Sequence, residues 1–199
     1  VYLKNIGSEI NTDMPEYSPV VSLDGSALYF TSRRSWSNGE TDEFKDPRIN
    51  QYPEDVYVSY RDFDSTWTTP LRLEFCQPRR NEATIAISSD ERKIYLYEDS
   101  TGNGDIYFTD FYHAKFQDIA MLDLEGVNTE DWETHCMMSN DKNTFYFVSD
   151  RKGGFGGRDI YMLRREKGTE EWSKPINLGP QINGPNDEDS PFISIDNKT

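Results

Sequence analysis

Basic residues are scarce. The 199-residue chain carries 21 Lys and Arg against 36 Asp and Glu, a formal net charge of −15. Phosphate backbones are held by clustered Lys and Arg, so a nucleic-acid partner is excluded. An anionic bilayer surface is disfavoured for the same reason. Cysteine is scarcer still. Cys76 and Cys136 allow at most one disulfide and no zinc cluster. Cys136 falls inside a strand pattern and is expected to be a buried thiol. No apolar run is long enough to cross a bilayer. No signal peptide is read at the start, and the chain reads as cut at both ends.

Hydrophobic residues are also few, at 35%. Aromatics offset this at 14%, with 12 Tyr and 11 Phe. Tyr and Phe favour strands and bury a large area each, which argues for a packed β protein over a disordered chain.

One register recurs four times: a Glu, a Ser six residues on, and an Asp two further. The Glu positions are Glu16, Glu82, Glu133 and Glu188. The Ser positions are Ser22, Ser88, Ser139 and Ser194, and the Asp positions are Asp24, Asp90, Asp141 and Asp196. The pattern reads as a hairpin. A short apolar strand (Ser18 to Val21, Phe192 to Ile193) leads into a polar turn, in which Asp bonds its own backbone. Alternating aromatics then mark a second strand at Ala27 to Thr31, Lys93 to Tyr97 and Thr144 to Val148.

Asp55, Asp105 and Asp159 each open a third strand. A fourth is marked by Trp67, Pro70 and Leu73 and again by Trp172, Pro175 and Leu178, with Phe116 in the Trp place of the middle unit. The Pro points to an edge strand, since it cannot donate to a ladder.

Four repeated strands define a propeller blade, so the expected fold is all-β: a β-propeller of four-stranded antiparallel blades. The Glu-to-Glu spacings of 66, 51 and 55 residues exceed a compact blade, which places the excess in loops. The longest insert is 35–54. Ile6 to Asn11 matches Leu178 to Asn183, so three complete blades with parts of two flanking ones are expected. Their bounds are 1–11, 12–74, 75–126, 127–179 and 180–199.

Several residues invite a chemical reading. His135 and Cys136 are adjacent and suggest a nucleophile with its base, but neighbours on a strand point to opposite faces and both hold repeat positions. His113 reads as a solvated loop residue. Gly153 to Gly157 lacks the Lys and the helix of a phosphate loop and reads as a tight hairpin needing φ > 0. Asn186 to Asp189, and Asn103 to Asp105, offer oxygen ligands for calcium without EF-hand spacing. No catalytic residue, cofactor or metal is assigned.

The four repeated Glu residues are the binding candidates. At the entry to strands lining the central channel they would form an acidic arc at its mouth. The alternative is that each bonds backbone, or an Arg or Ser of a neighbouring blade. Trp36, in the long insert, is a candidate partner anchor, the alternative being that it packs the insert on its own blade.

The Ser-x-Asp turn, aromatic strand and Ser-Asp-Arg of SNDKNTFYFVSDR (139–151) resemble the TolB-like propeller repeat, a relative of the WD repeat. DRKGGFGGRDIY (150–161) is similar to the version found in Bacteroidota envelope proteins. There such propellers follow tetratricopeptide repeats and precede an OmpA-like peptidoglycan-binding domain, and one such family includes an accessory component of type IX secretion. The second unit departs from the pattern: its turn has no Gly, and it lacks the Gly-rich loop. The resemblance implies a non-catalytic protein-binding scaffold, periplasmic and outer-membrane associated. Its partners would be other envelope proteins, with peptidoglycan reached through domains outside this chain. A glycan- or calcium-binding module, or a propeller hydrolase, are the alternatives.

Overall fold

The computed structural model describes residues 2–35, 45–194, 196 and 197. Trp36 lies outside the described residues. Three antiparallel sheets follow one another along the chain. The first contains β1 (Glu16–Val21), β2 (Ala27–Ser32), β3 (Asp55–Tyr60) and β4 (Leu71–Arg72), in that order. The second contains β5 (Glu82–Ile87), β6 (Lys93–Glu98) and β7 (Asp105–Tyr112), with β8 (Lys115–Phe116) and β9 (Ala120–Met121) both paired to β7. The third contains β10 (Glu133–Met138), β11 (Thr144–Ser149), β12 (Asp159–Arg164) and β13 (Ile176–Asn177).

Each hairpin turn is built by the Ser-x-Asp signature. Ser139 Oγ donates to Asp141 at 2.7 Å and accepts the amide of Thr144 at 2.9 Å. Ser22 and Ser88 make the same two bonds, to Asp24 and Asp90 and from Ala27 and Lys93. The turn residue after the Asp has positive φ in all three, and only the first uses Gly: Gly25, Glu91 and Lys142. Side-chain bonding therefore holds a left-handed turn that Gly would otherwise favour.

The first strands begin at the repeated Glu itself, two residues earlier than the apolar pattern suggests. A bulge follows each Glu, as between Tyr17 and Val20, where Ser18 has φ 49°. Phe192 and Ile193 lie in no strand, and no described segment pairs with them. The middle sheet divides its outer strand in two, because Phe116 pairs with Phe111 before the chain turns back at Ala120. Its counterparts are single bridges, Arg61 to Trp67 and Arg165 to Trp172, so Phe116 does stand in the Trp place. Pro70 and Pro175 precede the edge strands β4 and β13.

Alternation along the central strands gives the sheets two buried faces. Ala27, Tyr29, Val56 and Val58 pack with Ile94 and Leu96 of the next sheet. Leu28, Phe30 and Tyr57, on the other face, pack with Ile10. Ala86, Tyr95 and Ile106 meet Phe145, Phe147 and Leu163 across the next junction. A sheet covered on both faces by its neighbours is a blade, and the chain is a β-propeller arc.

Gly153 to Gly157 closes the hairpin between β11 and β12, and the expected need for positive φ is met only by Gly153, at 95°. The others serve close approach. A Cβ on Gly154 would lie 1.9 Å from Asp159 Oδ2, and one on Gly156 would lie 1.9 Å from the carbonyl of Asn186. The Asp159 carboxylate accepts the amides of Phe155 and Gly156 at 2.6 and 3.2 Å.

Candidate functional site: the inner face of the blades

The four first-strand segments converge on a cavity of about 640 Å³. Its wall is mostly apolar: Val20, Val21 and Leu23 from the first unit, Ile85 and Ile87 from the second, Met137 and Met138 from the third, and Pro191, Phe192 and Ile193 beyond. Val21, Leu23 and Phe192 are exposed large hydrophobics. A second cavity of about 260 Å³ adjoins it and shares Ser18, Ile85 and His135. Its wall brings in charged and hydroxyl-bearing side chains, Tyr17, Glu54, Thr84, Tyr97, Thr134 and Arg158.

Charges at the polar end are held in place. Arg33 pairs with Glu54 and donates to the carbonyl of Tyr52 at 2.8 Å. Burial pushes the Tyr17 hydroxyl far above its usual range, and Glu54 beside it adds to the shift. His135 Nδ1 meets the carboxylate of Asp189, which Arg158 also holds at 3.0 Å. Burial lowers the His135 pKa, Asp189 opposes that shift and Arg158 reinforces it. Cys136 contributes to the wall of the larger cavity but is buried in the core between the second and third blades, where burial raises its thiol well above the ordinary range. His135 and Cys136 therefore face different surroundings. Both cysteines are free and buried.

The repeated Glu residues are drawn into the blades. Glu82 and Glu133 are completely buried, while Glu188 is half-buried. Glu133 accepts the Thr129 amide at 2.9 Å, the Thr129 hydroxyl at 3.0 Å and the Ser149 hydroxyl at 2.6 Å. Arg151 lies 3.0 Å away and donates to the carbonyls of Gly126 and Val127, which end the preceding blade. Glu16 is held in the same way by Thr12, Ser32 and Arg34, with Arg34 reaching the carbonyls of Glu9 and Ile10. Glu188 accepts the Gly184 amide at 2.9 Å. At Glu16 and Glu133 the bonding is a clasp that ties the blade's first two strands to the end of the blade before, with the Ser and Arg coming from the same blade rather than from a neighbour. The fully buried carboxylates of Glu82 and Glu133 face the blade interior rather than water.

The clasp is rewired at Glu82. Where Ser32 and Arg34 stand in the first blade, the second has Glu98 and Ser100. Arg80, from the preceding loop, takes over: it pairs with Glu82 and donates to the carbonyl of Phe75 at 3.0 Å. Nothing in the repeat register signals this Arg, because it comes from a different side of the clasp.

The two acidic stretches are also tied internally. Asp187 accepts the Arg158 amide at 3.0 Å, and Asp189 is shared by Arg158 and His135. Asn103 donates to the carbonyl of Thr129 at 2.8 Å.

No family model matches this chain, and no curated protein matches it. Solved structures do. The putative TolB from Agrobacterium tumefaciens is matched over 91% of this chain and 56% of its own, at 15% identity and a TM-score of 0.53. TolB from Acinetobacter baumannii is matched over 81% of this chain and 32% of its own, at 15% identity and a TM-score of 0.49. A puromycin-hydrolyzing peptidase from Mycobacterium tuberculosis is matched over 84% and 26%, at 15% identity and a TM-score of 0.44. This chain thus spans about a third to just over half of the TolB chains. The class is settled by the sheets and by the Agrobacterium likeness: an all-β propeller of antiparallel four-stranded blades. The blades are TolB-like in fold.

Proposed function

We propose that this propeller is a non-catalytic protein-binding scaffold of the bacterial cell envelope. It works in the periplasm, in association with the outer membrane, within a secretion or assembly machine. The observation that carries the binding role is the inner-face cavity of about 640 Å³, apolar in its wall and rimmed by exposed Val21, Leu23 and Phe192. Concave apolar surface with a few polar groups at one end is the usual form of a binding site. Here the polar end is supplied by Glu54, Arg158 and His135. A partner segment that is apolar, with hydrogen-bonding groups at its tip, fits both compartments. The envelope setting rests on the resemblance of residues 150–161 to Bacteroidota envelope propellers and on the TolB-like fold. Type IX secretion and an OmpA-type peptidoglycan anchor are the narrower form of the same reading.

The test is mass spectrometry of what co-purifies with the full-length native protein from its envelope fraction, beside a Leu23→Asp, Phe192→Asp double variant. Recovery of secretion or outer-membrane proteins with the native protein, lost in the variant, supports the scaffold. Recovery of the protein alone, with a sugar or calcium in its native mass, overturns it in favour of a ligand-binding module. Turnover of a peptide or glycan overturns it in favour of a hydrolase.

A further inference from the structure

The junction of the first two blades differs from its sisters in a way that assembles metal ligands. At the two later junctions an Asn ends the blade and bonds both backbone groups of the third strand. Asn128 accepts the Ile106 amide and donates to its carbonyl, both at 2.9 Å. Asn183 does the same to Ile160. At the first junction the residue is Cys76, whose sulfur accepts the Val56 amide at 3.3 Å and whose thiol donates to the Val56 carbonyl at 3.8 Å, the same pair of bonds from a different group. A neutral amide has been replaced by an ionisable thiol.

The carboxylate facing this position has changed as well. In the sister clasps the Glu Oε2 takes a backbone amide, from Thr12, Thr129 or Gly184. Glu82 accepts the Gln77 amide and Arg80 through Oε1 alone. Its Oε2 is buried without a hydrogen-bond partner, and the side chain is fully enclosed. An unsatisfied buried carboxylate oxygen is costly and calls for a partner. Asp55, from the start of β3, completes the group. One ligand atom each from Asp55, Cys76 and Glu82 lies within 4.8 Å of the others, and all three residues are buried.

We propose that Asp55, Cys76 and Glu82 bind a zinc-like divalent cation between the first two blades. One thiolate and two carboxylates suit a borderline ion such as Zn²⁺; tetrahedral bonds of about 2.0–2.3 Å set ligand atoms about 3.3–3.8 Å apart, so the three atoms, each within 4.8 Å of the others, draw to that spacing around the ion. Mg²⁺ and Ca²⁺ are disfavoured, because both take oxygen ligands in larger number. The Zn–S bond forms as the thiol proton leaves to solvent, with no change of oxidation state. Arg80 on Glu82 Oε1 orients the carboxylate and offsets the excess negative charge of three anionic ligands. The ion would lock the first blade to the second where the standard Ser and Arg of the clasp are missing.

The experiment is a titration of reduced, chelator-treated protein with Co²⁺ and then Zn²⁺, in the native state and after refolding with the metal present. Binding of one equivalent of Co²⁺ is expected. A thiolate charge-transfer band should appear with visible bands of a tetrahedral ion, be displaced by Zn²⁺, and be accompanied by a rise in melting temperature. Cys76→Asn restores the residue of the sister junctions and so keeps the backbone bonds. It is expected to fold, to lose the band and to lower affinity at least about 100-fold. Cys136→Ala is expected to leave the band unchanged. A missing band with an unchanged melting temperature overturns the proposal, and so does a band that survives Cys76→Asn. A melting temperature that follows pH but is indifferent to the metal overturns it too.

Discussion

Arg151 sits 3.0 Å from the fully buried carboxylate of Glu133, donates to the carbonyls of Gly126 and Val127, and donates through Nε to the Ser149 hydroxyl at 2.9 Å. The ring faces of Phe147 and Tyr161 lie 4.8 and 5.0 Å from the guanidinium. One side chain thus neutralises a buried charge, satisfies the end of the previous blade and stacks on the core. Arg151→Met keeps much of the stem packing but leaves Glu133 buried without its cation. Thr129 and Ser149 still donate to the carboxylate, but neither carries a charge. A loss of about 3 kcal/mol is expected in chemical denaturation. A loss below about 0.5 kcal/mol, the range of surface substitutions, would show that the clasp contributes little.

Glu82 gives its junction a pH signature. Burial raises its pKa from 4.5 to about 7, against the lowering effect of Arg80. The folded state therefore binds a proton that the unfolded chain releases between these values. Its contribution to stability is complete below about pH 4.5 and is lost as pH rises through about 7, by at most about 3 kcal/mol. In chelator, the difference in stability between the native protein and Glu82→Gln should therefore change across this window and level off above it. A difference that stays flat from about pH 4.5 to about pH 8 would remove Glu82 as the source.

The blades were legible because each depends on local chemistry. Ser139, Asp141 and the alternating Phe145 and Phe147 specify turn and strand within a few residues of each other. The Asp that opens each third strand could be read in the same way. What the sequence hid depends on distant partners. The repeated Glu has the same spacing whether its carboxylate faces a channel or Arg151, and only burial separates the two. Arg80 replaces Arg34 from another segment, so no register exposes the exchange. Cys76 could be recognised as a substituted Asn only once Val56, Ile106 and Ile160 were seen to make equivalent bonds. The glycines of the 153–157 loop carry a signal of permissive backbone, whereas most of them answer to crowding.

Cys136 and His135 make a third test. The Cys136 thiol is enclosed among Ala86, Phe145 and Phe147, and burial holds its pKa well above the ordinary range. Alkylation needs the thiolate and access, and the native state supplies neither. Iodoacetamide should modify Cys136 at least about 100-fold more slowly in the native protein than in denaturant, following global opening. Peptide mapping reads the site directly. Rapid native modification at Cys136, suppressed by His135→Ala, would restore the pair as a nucleophile and its base.

The Gly-rich loop separates crowding from backbone strain. Gly153 has φ 95° with open space around its missing Cβ, so Gly153→Ala meets only the conformational penalty, about 1 kcal/mol. Gly156 has no such φ, but its Cβ would strike the Asn186 carbonyl at 1.9 Å, a backbone atom that cannot rotate aside. Gly156→Ala must therefore push the loop away from the 184–187 segment. That shift would pull on the bonds by which Asp159 holds Phe155 and Gly156, and Asp187 holds Arg158. A cost of about 1–3 kcal/mol is expected, above that of Gly153→Ala. Parallel urea melts of the two variants decide the matter. Equal losses would mean that the loop moves freely and that its glycines answer to conformation alone.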